Sequence, residues 1–124
     1  MPSAIGSDRS HPALRLATLA AGLVLIGFGL TKFVNHAVEV ESFRTYGLPS
    51  PDAFVYLIGV IEVVGGAALV TGRGIRLAAP VLAADMLGAI AVSGVGEGEW
   101  ISLTLAPLLL AIVTWASLDP IPTG

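Results

Sequence analysis

The fold is decided by "AFVYLIGVIEVVGGAALVTG", residues 53–72, a run whose one charged residue, Glu62, lies near its midpoint. A helix of about 20 such residues crosses a hydrocarbon core of about 30 Å. The run lacks the two-residue alternation of a membrane barrel strand. It therefore predicts a transmembrane helix that carries a carboxyl group near the bilayer centre, where a charge is costly.

Three other stretches share this length and apolar character, at residues 14–34, 75–95 and 100–118. Only 12% of the 124 residues are charged, about half the share typical of a soluble domain. The sequence thus predicts an all-α fold, an integral membrane four-helix bundle at residues 13–119. A flexible cytoplasmic arm, residues 1–12, precedes the bundle, and a short tail, residues 120–124, follows it.

The connection between the first two spans predicts a short amphipathic helix over residues 36–46 that lies in the membrane interface. Val40 and Phe43 fall on one face at helical spacing, and Glu41 falls on the opposite face. Gly47 follows as a stop signal.

The distribution of charge predicts the orientation. One side of the four-span arrangement carries most of the arginines: Arg9, Arg15, Arg73 and Arg76. The other side has Lys32 and Arg44 among several acidic residues. Because basic loops remain in the cytoplasm, both termini are predicted to be cytoplasmic in a multi-pass protein of the cell membrane. The net charge of −3 argues against a nucleic-acid partner.

Absent residue types narrow the chemistry. The chain has no cysteine, which excludes a disulfide framework, a thiol redox motif, an iron–sulfur cluster held by its own thiolates and a covalent c-type haem. His36 and Glu39 are too few ligands for a metal site. A redox role would therefore need a bound molecule or a partner protein.

Glu62 and Asp85 lie near the midpoints of the second and third spans. Because these spans run antiparallel, their midpoints share one depth, and the two carboxyl groups can meet near the bilayer centre. Burial and mutual repulsion predict that the pair is at least partly protonated and titrates as a unit. The pair either holds the helices together or forms a site that binds a polar group or exchanges protons, and the sequence leaves both open.

Small residues beside Glu62 indicate a packed interior position. Gly59 and Gly66 share its helical face, where another helix can approach closely. The candidate ligand-binding residues are Glu62, Asp85, Gly59, Gly66 and Lys32, and the catalytic candidates are Glu62 and Asp85. For Lys32, near the end of the first span, we expect the ammonium group to extend to the membrane interface rather than into the bundle.

Four segments in this order resemble the DoxX family of small bacterial and archaeal membrane proteins. They are "GFGLTKF", "FRTYGLPSP", "GVIEVVGGAALVTG" and "RLAAPVLAADMLGAI", within residues 14–92. The resemblance implies a four-helix bundle of the bacterial inner membrane and a redox association. Some members resemble subunits of a thiosulfate:quinone oxidoreductase, and others are linked to superoxide dismutase and a sulfurtransferase.

The resemblance also bears on single residues. Glu62 and Lys32 match positions that recur in the family pattern, whereas Asp85 is less typical of it. Many members carry a histidine where this chain has "AVSG", residues 91–94. The departure argues against histidine-dependent chemistry at that position.

Three functions fit these observations. The first is a redox-associated membrane subunit that holds a quinone-like or other small apolar molecule near Glu62 and Asp85 and acts only with a partner protein. The second is a non-enzymatic anchor or assembly factor for a soluble oxidoreductase. The third is a small carrier. The chain shows no cofactor motif of its own, so a bound quinone, membrane lipid and a partner protein or second copy are the expected associates.

Overall fold

The computed structural model describes residues 2–118, which form five α-helices in a bundle. They are α1 (Pro2–Val34), α2 (His36–Thr45), α3 (Pro51–Thr71), α4 (Ile75–Ala89) and α5 (Trp100–Leu118), and a π-helical segment, Ile90–Val95, continues α4. No strand occurs in this part of the chain. Four stretches are long and apolar enough to cross a membrane: Pro12–Val34, Pro51–Thr71, Ile75–Val95 and Trp100–Leu118. The all-α, four-span prediction is therefore confirmed.

The first helix begins before the predicted first span, and the flexibility of the N-terminal arm stays a prediction. The backbone of α1 is helical from Pro2, so it takes in the residues for which the sequence predicted a flexible arm. The membrane-crossing part begins at Pro12. The predicted C-terminal tail lies outside the described residues.

The most extensive helix pair is α1 with α3. Paired glycines bring the two backbones together. A Cβ added at Gly22 would lie 2.6 Å from the carbonyl oxygen of Gly66, and one added at Gly29 would lie 2.8 Å from that of Gly59. In a membrane, helices associate through such close packing rather than through the hydrophobic effect. The small residues that the sequence placed on these two helices therefore set the α1–α3 distance.

The opposite side of α3 packs against α4. Gly65 accommodates the side chain of Leu82, which is fully buried. Large apolar side chains also cover the outside of the bundle, and Leu16, Leu77 and Leu118 are each at least 70% exposed. Helices that are apolar on both sides suit a bundle whose surroundings are lipid rather than water.

Arg15 caps the end of α3. Its guanidinium donates to the carbonyl oxygen of Leu69 at 3.0 Å and to that of Val70. The last carbonyls of a helix have no partner within the helix, and a basic side chain satisfies them. Gly72 and Gly74 then turn the chain into α4 with φ of 75° and 70°, a conformation that a residue without a Cβ adopts at low cost.

The predicted connecting helix is α2. It packs against α3, with Phe43 buried and Glu41 exposed, as the amphipathic pattern predicted. The ring of Phe43 lies 5.8 Å from that of Tyr46 and 6.1 Å from that of Phe54. These aromatic contacts fix α2 over one end of the bundle, which we call the α2 end.

Candidate functional site

A cavity of about 630 Å³ lies between α1, α3, α4 and α5 and extends to α2. Its wall is mainly apolar and includes Phe54, Ile58, Met86, Leu105 and Leu109. Small-molecule sites typically have volumes of about 300–1,000 Å³ and combine an apolar wall with a few placed polar groups. Here the polar groups gather at two places, one around Glu62 and one around Ser93.

The two midpoint acids meet in this cavity. Glu62 is 5% exposed, and the carboxyl group of Asp85 adjoins it. Both side chains line the cavity wall. Among residues 12–118, the buried atom Asp85 Oδ2 has no hydrogen-bond partner, and Glu62 Oε1 has only the ammonium group of Lys32 beside it. A shared proton or a polar group of a ligand could satisfy Asp85 Oδ2. The prediction that Glu62 faces the interior near Asp85 is confirmed.

The expectation that Lys32 reaches the membrane interface was wrong. Its side chain is buried, and Nζ lies 3.0 Å from Oε1 of Glu62. Nζ also donates to the carbonyl oxygen of Phe28, one turn earlier in α1, at 3.4 Å. Side chains on a helix lean towards its N-terminus. Near the C-terminal end of α1 this direction leads into the bundle, so the lysine is aimed at Glu62 and not at the interface.

Lys32 also bridges to the connecting helix. Glu39 of α2 places Oε1 at 3.6 Å from Nζ. We call Lys32, Glu39, Glu62 and Asp85 the ion cluster. It contains three carboxyl groups and one ammonium group, and burial of unpaired charge is costly.

Gly59 and Gly66 do not line the cavity, although the sequence placed them among the ligand-binding residues. They lie against α1 instead. A Cβ on Gly59 would lie 3.1 Å from Cβ of Lys32, and one on Gly66 would lie 2.6 Å from the carbonyl oxygen of Gly22. The reason is that a helical face containing Glu62 is wide enough to meet both α1 and α4. Gly59 thus allows Lys32 to approach Glu62, one turn along α3.

The second polar group of the cavity was not predicted from the sequence. Ser93, in the π-helical segment, is buried, donates to the carbonyl oxygen of Ala89 at 2.9 Å and shares a hydrogen bond with Ser102 of α5. Short π-helical segments often occur at functional sites. The one signal in the sequence was the serine in "AVSG", at the place where many members of the family carry a histidine.

Two further contacts hold α2 over the cavity. The phenol of Tyr46 donates to Glu99 at 2.9 Å, and burial, followed by the bond to Glu99, raises the pKa of Tyr46 to about 12. The phenol therefore keeps its proton at physiological pH. At the other end of α2, His36 binds Asp52 of α3 and stacks on Tyr56 with ring centroids 3.9 Å apart. From the sequence, His36 was considered only as a metal ligand, and these contacts were not predicted.

The contribution of the His36–Asp52 contact to the stability of the fold should depend on pH. The hydrogen bond to Asp52 raises the pKa of His36 above its ordinary value of 6.5. A raised pKa means that the contact stabilises the fold fully below pH 6.5 and that this contribution is lost as the pH rises through the folded-state pKa. An NMR titration of His36 in detergent should show the raised value, and Asp52→Asn should return it towards 6.5. An unchanged titration in Asp52→Asn would contradict the assignment.

The fold and the cavity define a small membrane protein of four spans in which a buried ion cluster opens on an apolar cavity. The DoxX family model matches residues 13–94, about two thirds of the chain. The protein belongs to the DoxX family. The matched range includes Lys32, Glu62 and Asp85 and ends within the π-helical segment.

Two curated relatives are similar to part of the chain. The chain is 34% identical over 83 residues to "Uncharacterized membrane protein Rv3486" of Mycobacterium tuberculosis. This alignment covers 66% of the chain and 51% of the relative. It is 31% identical over 75 residues to "Putative oxidoreductase CatD" of Bacillus subtilis, and this alignment covers 60% of the chain and 54% of the relative. The matches thus span about half the length of these relatives. No solved structure matches the chain.

Proposed function

We propose that the cavity binds a small, mainly apolar molecule with a carbonyl or hydroxyl head group, such as a quinone, and that the ion cluster exchanges a proton with it. The observation that carries this proposal is the placement of Lys32, Glu62 and Asp85 on the wall of a largely apolar cavity. Intramembrane charged residues that face a cavity typically mark ligand sites or proton paths.

The ion cluster suits proton exchange because it connects the interior with the surface. Glu39 is partly exposed at the α2 end, Lys32 lies between Glu39 and Glu62, and Asp85 adjoins Glu62. Reduction of a quinone consumes protons as well as electrons. The acids can supply the protons, and the lysine can stabilise negative charge that develops on a reduced head group.

Electrons would come from a partner protein, since the chain carries no recognisable motif for a redox cofactor of its own. The printed name of the Bacillus subtilis relative describes an oxidoreductase, and this supports a redox setting for the present chain. In this proposal the protein is the membrane subunit that presents the quinone. An anchor without a ligand is the alternative that the experiment below distinguishes.

We further propose that both termini face the cytoplasm of a bacterial cell. Arg15, Arg73 and Arg76 lie at the end of the bundle opposite α2, whereas Glu39, Glu41, Asp52 and Glu99 lie at the α2 end. The excess of basic residues at the first end supports a cytoplasmic location for it. The cavity would then reach the bilayer centre from the extracytoplasmic side.

Replacement of Glu62 tests the proposed site. Glu62→Gln keeps the shape of a protonated acid but cannot exchange a proton, so it should weaken equilibrium binding of a short-chain quinone about fivefold to tenfold, the value of one hydrogen bond, and abolish partner-dependent turnover. Glu62→Leu should weaken binding further. The matched control is Glu41→Gln, which changes an exposed acid of α2 outside the cavity wall.

The results of these experiments distinguish a quinone-binding subunit from an anchor without a ligand. Wild-type protein that binds no quinone, and from which mild-detergent purification recovers only a soluble oxidoreductase, would overturn the quinone proposal in favour of an anchor. Equal quinone binding and turnover in Glu62→Gln and Glu41→Gln would remove the ion cluster from the site.

A further inference from the structure

A second concavity lies on the outside of the bundle, between α3 and α4. It has a volume of about 560 Å³ and is separate from the ion cluster. Exposed Val64 and Leu77 form its rims, and Gly65 and Ala68 lie between them. The lining is apolar except at one end, where Thr71 and Arg73 stand. It is therefore a groove open to the hydrocarbon region with a cation at its mouth.

The charge at the mouth is positive. Arg73 and Arg76 are exposed, and neither makes an ion pair with any side chain that the structure describes. Arg15, the third arginine at this end, is engaged with the carbonyl oxygens of α3. Arginine matches phosphate in both charge and geometry. The mouth of the groove thus complements an anionic phosphate group at the level of the lipid head groups.

The length of the groove matches one leaflet. Along α3 it extends from Val60 to Thr71, which is about 16 Å at a rise of about 1.5 Å per residue. Half of a typical hydrocarbon core is about 15 Å thick. An acyl chain that starts at the head-group level of Arg73 would therefore end at the bilayer centre, where the groove also ends.

We propose that this groove is a binding site for an anionic phospholipid. One acyl chain lies between α3 and α4, and the phosphate group binds Arg73, with Arg76 adding attraction. Basic pockets between transmembrane helices are known to select acidic lipids. The two cavities meet at Ile61 and Val81 but share no charged residue. The lipid proposal therefore does not depend on the quinone proposal.

Native mass spectrometry of the purified protein in detergent, with phosphatidylglycerol and phosphatidylcholine in equal amounts, tests the proposal. Wild-type protein should retain phosphatidylglycerol preferentially. Arg73→Gln should lower that preference about fivefold, the weight of one basic residue near an anionic lipid. The control Arg44→Gln removes the same charge at the α2 end, where Arg44 pairs with Glu41, and should retain the preference.

A second variant tests the acyl-chain groove. Ala67 lines it and is exposed, so Ala67→Phe should fill the groove without entering the core and should reduce retention of both lipids. Ala111→Phe, on an exposed position of α5, is the control. Equal retention of the two lipids by wild-type protein, or unchanged preference in Arg73→Gln, would overturn the proposal. So would an Ala67→Phe protein that keeps its lipid and instead loses an oligomeric state, since a second copy would then occupy the groove.

Discussion

Replacement of Lys32 by methionine is expected to lower the free energy of unfolding by about 3 kcal/mol, which is the typical cost of removing one partner of a buried ion pair. Methionine preserves most of the apolar stem, so the loss comes from the ammonium group. Glu62 is only 5% exposed and lies beside Asp85. Without the ammonium group it would lose the cation that lies 3.0 Å away in the wild-type protein. Unfolding in a fixed detergent mixture, followed by circular dichroism, measures the loss.

Two controls make the Lys32 result interpretable. Arg44→Met breaks the exposed pair with Glu41 and should cost less than about 1 kcal/mol, as surface pairs do. Adding Glu62→Gln to Lys32→Met should recover much of the stability, because the amide carries no charge to leave unpaired. If Lys32→Met were no more costly than Arg44→Met, the buried ion pair would not be a stabilising part of the fold.

Replacement of Gly66 by alanine is expected to destabilise the bundle by about 2–3 kcal/mol, the range for overpacking a tight contact. The new Cβ would lie 2.6 Å from the carbonyl oxygen of Gly22. A backbone atom cannot rotate away as a side chain can, so α1 and α3 must separate. Separation would also draw Lys32 away from Glu62, so the quinone binding proposed above should fall together with stability.

Gly27 provides the matched control for Gly66. It lies in α1, and a Cβ at this position would meet nothing within 4 Å. Gly27→Ala should therefore be neutral or stabilise the protein by up to about 1 kcal/mol, the difference in helix propensity between glycine and alanine. Equal thermal stability of the Gly66→Ala and Gly27→Ala proteins would show that the α1–α3 contact tolerates a wider separation than the structure has.

The sequence by itself determined the spans, because twenty apolar residues have few alternatives to a membrane helix. It also determined the depth of Glu62 and Asp85, since position along an antiparallel span fixes depth. The inward direction of Glu62 followed from the same argument: lipid cannot solvate a carboxyl group. The glycines beside Glu62 likewise predicted that another helix packs closely against α3, and in the structure Gly22 of α1 lies against Gly66.

Only the tertiary structure decided where the ammonium group of Lys32 lies. Its long side chain could reach the interface or the interior, and the choice depended on Glu62, Glu39 and the lean of side chains on α1. The cavity and the Ser93–Ser102 contact depend on how α4 and α5 pack. The apolar sequences of these helices contain little information about that packing. Gly59 and Gly66 show the same limit, because helical spacing gives a face but not the neighbour that covers it. Burial along one helix follows from its own sequence, whereas each contact between helices depends on two sequences at once.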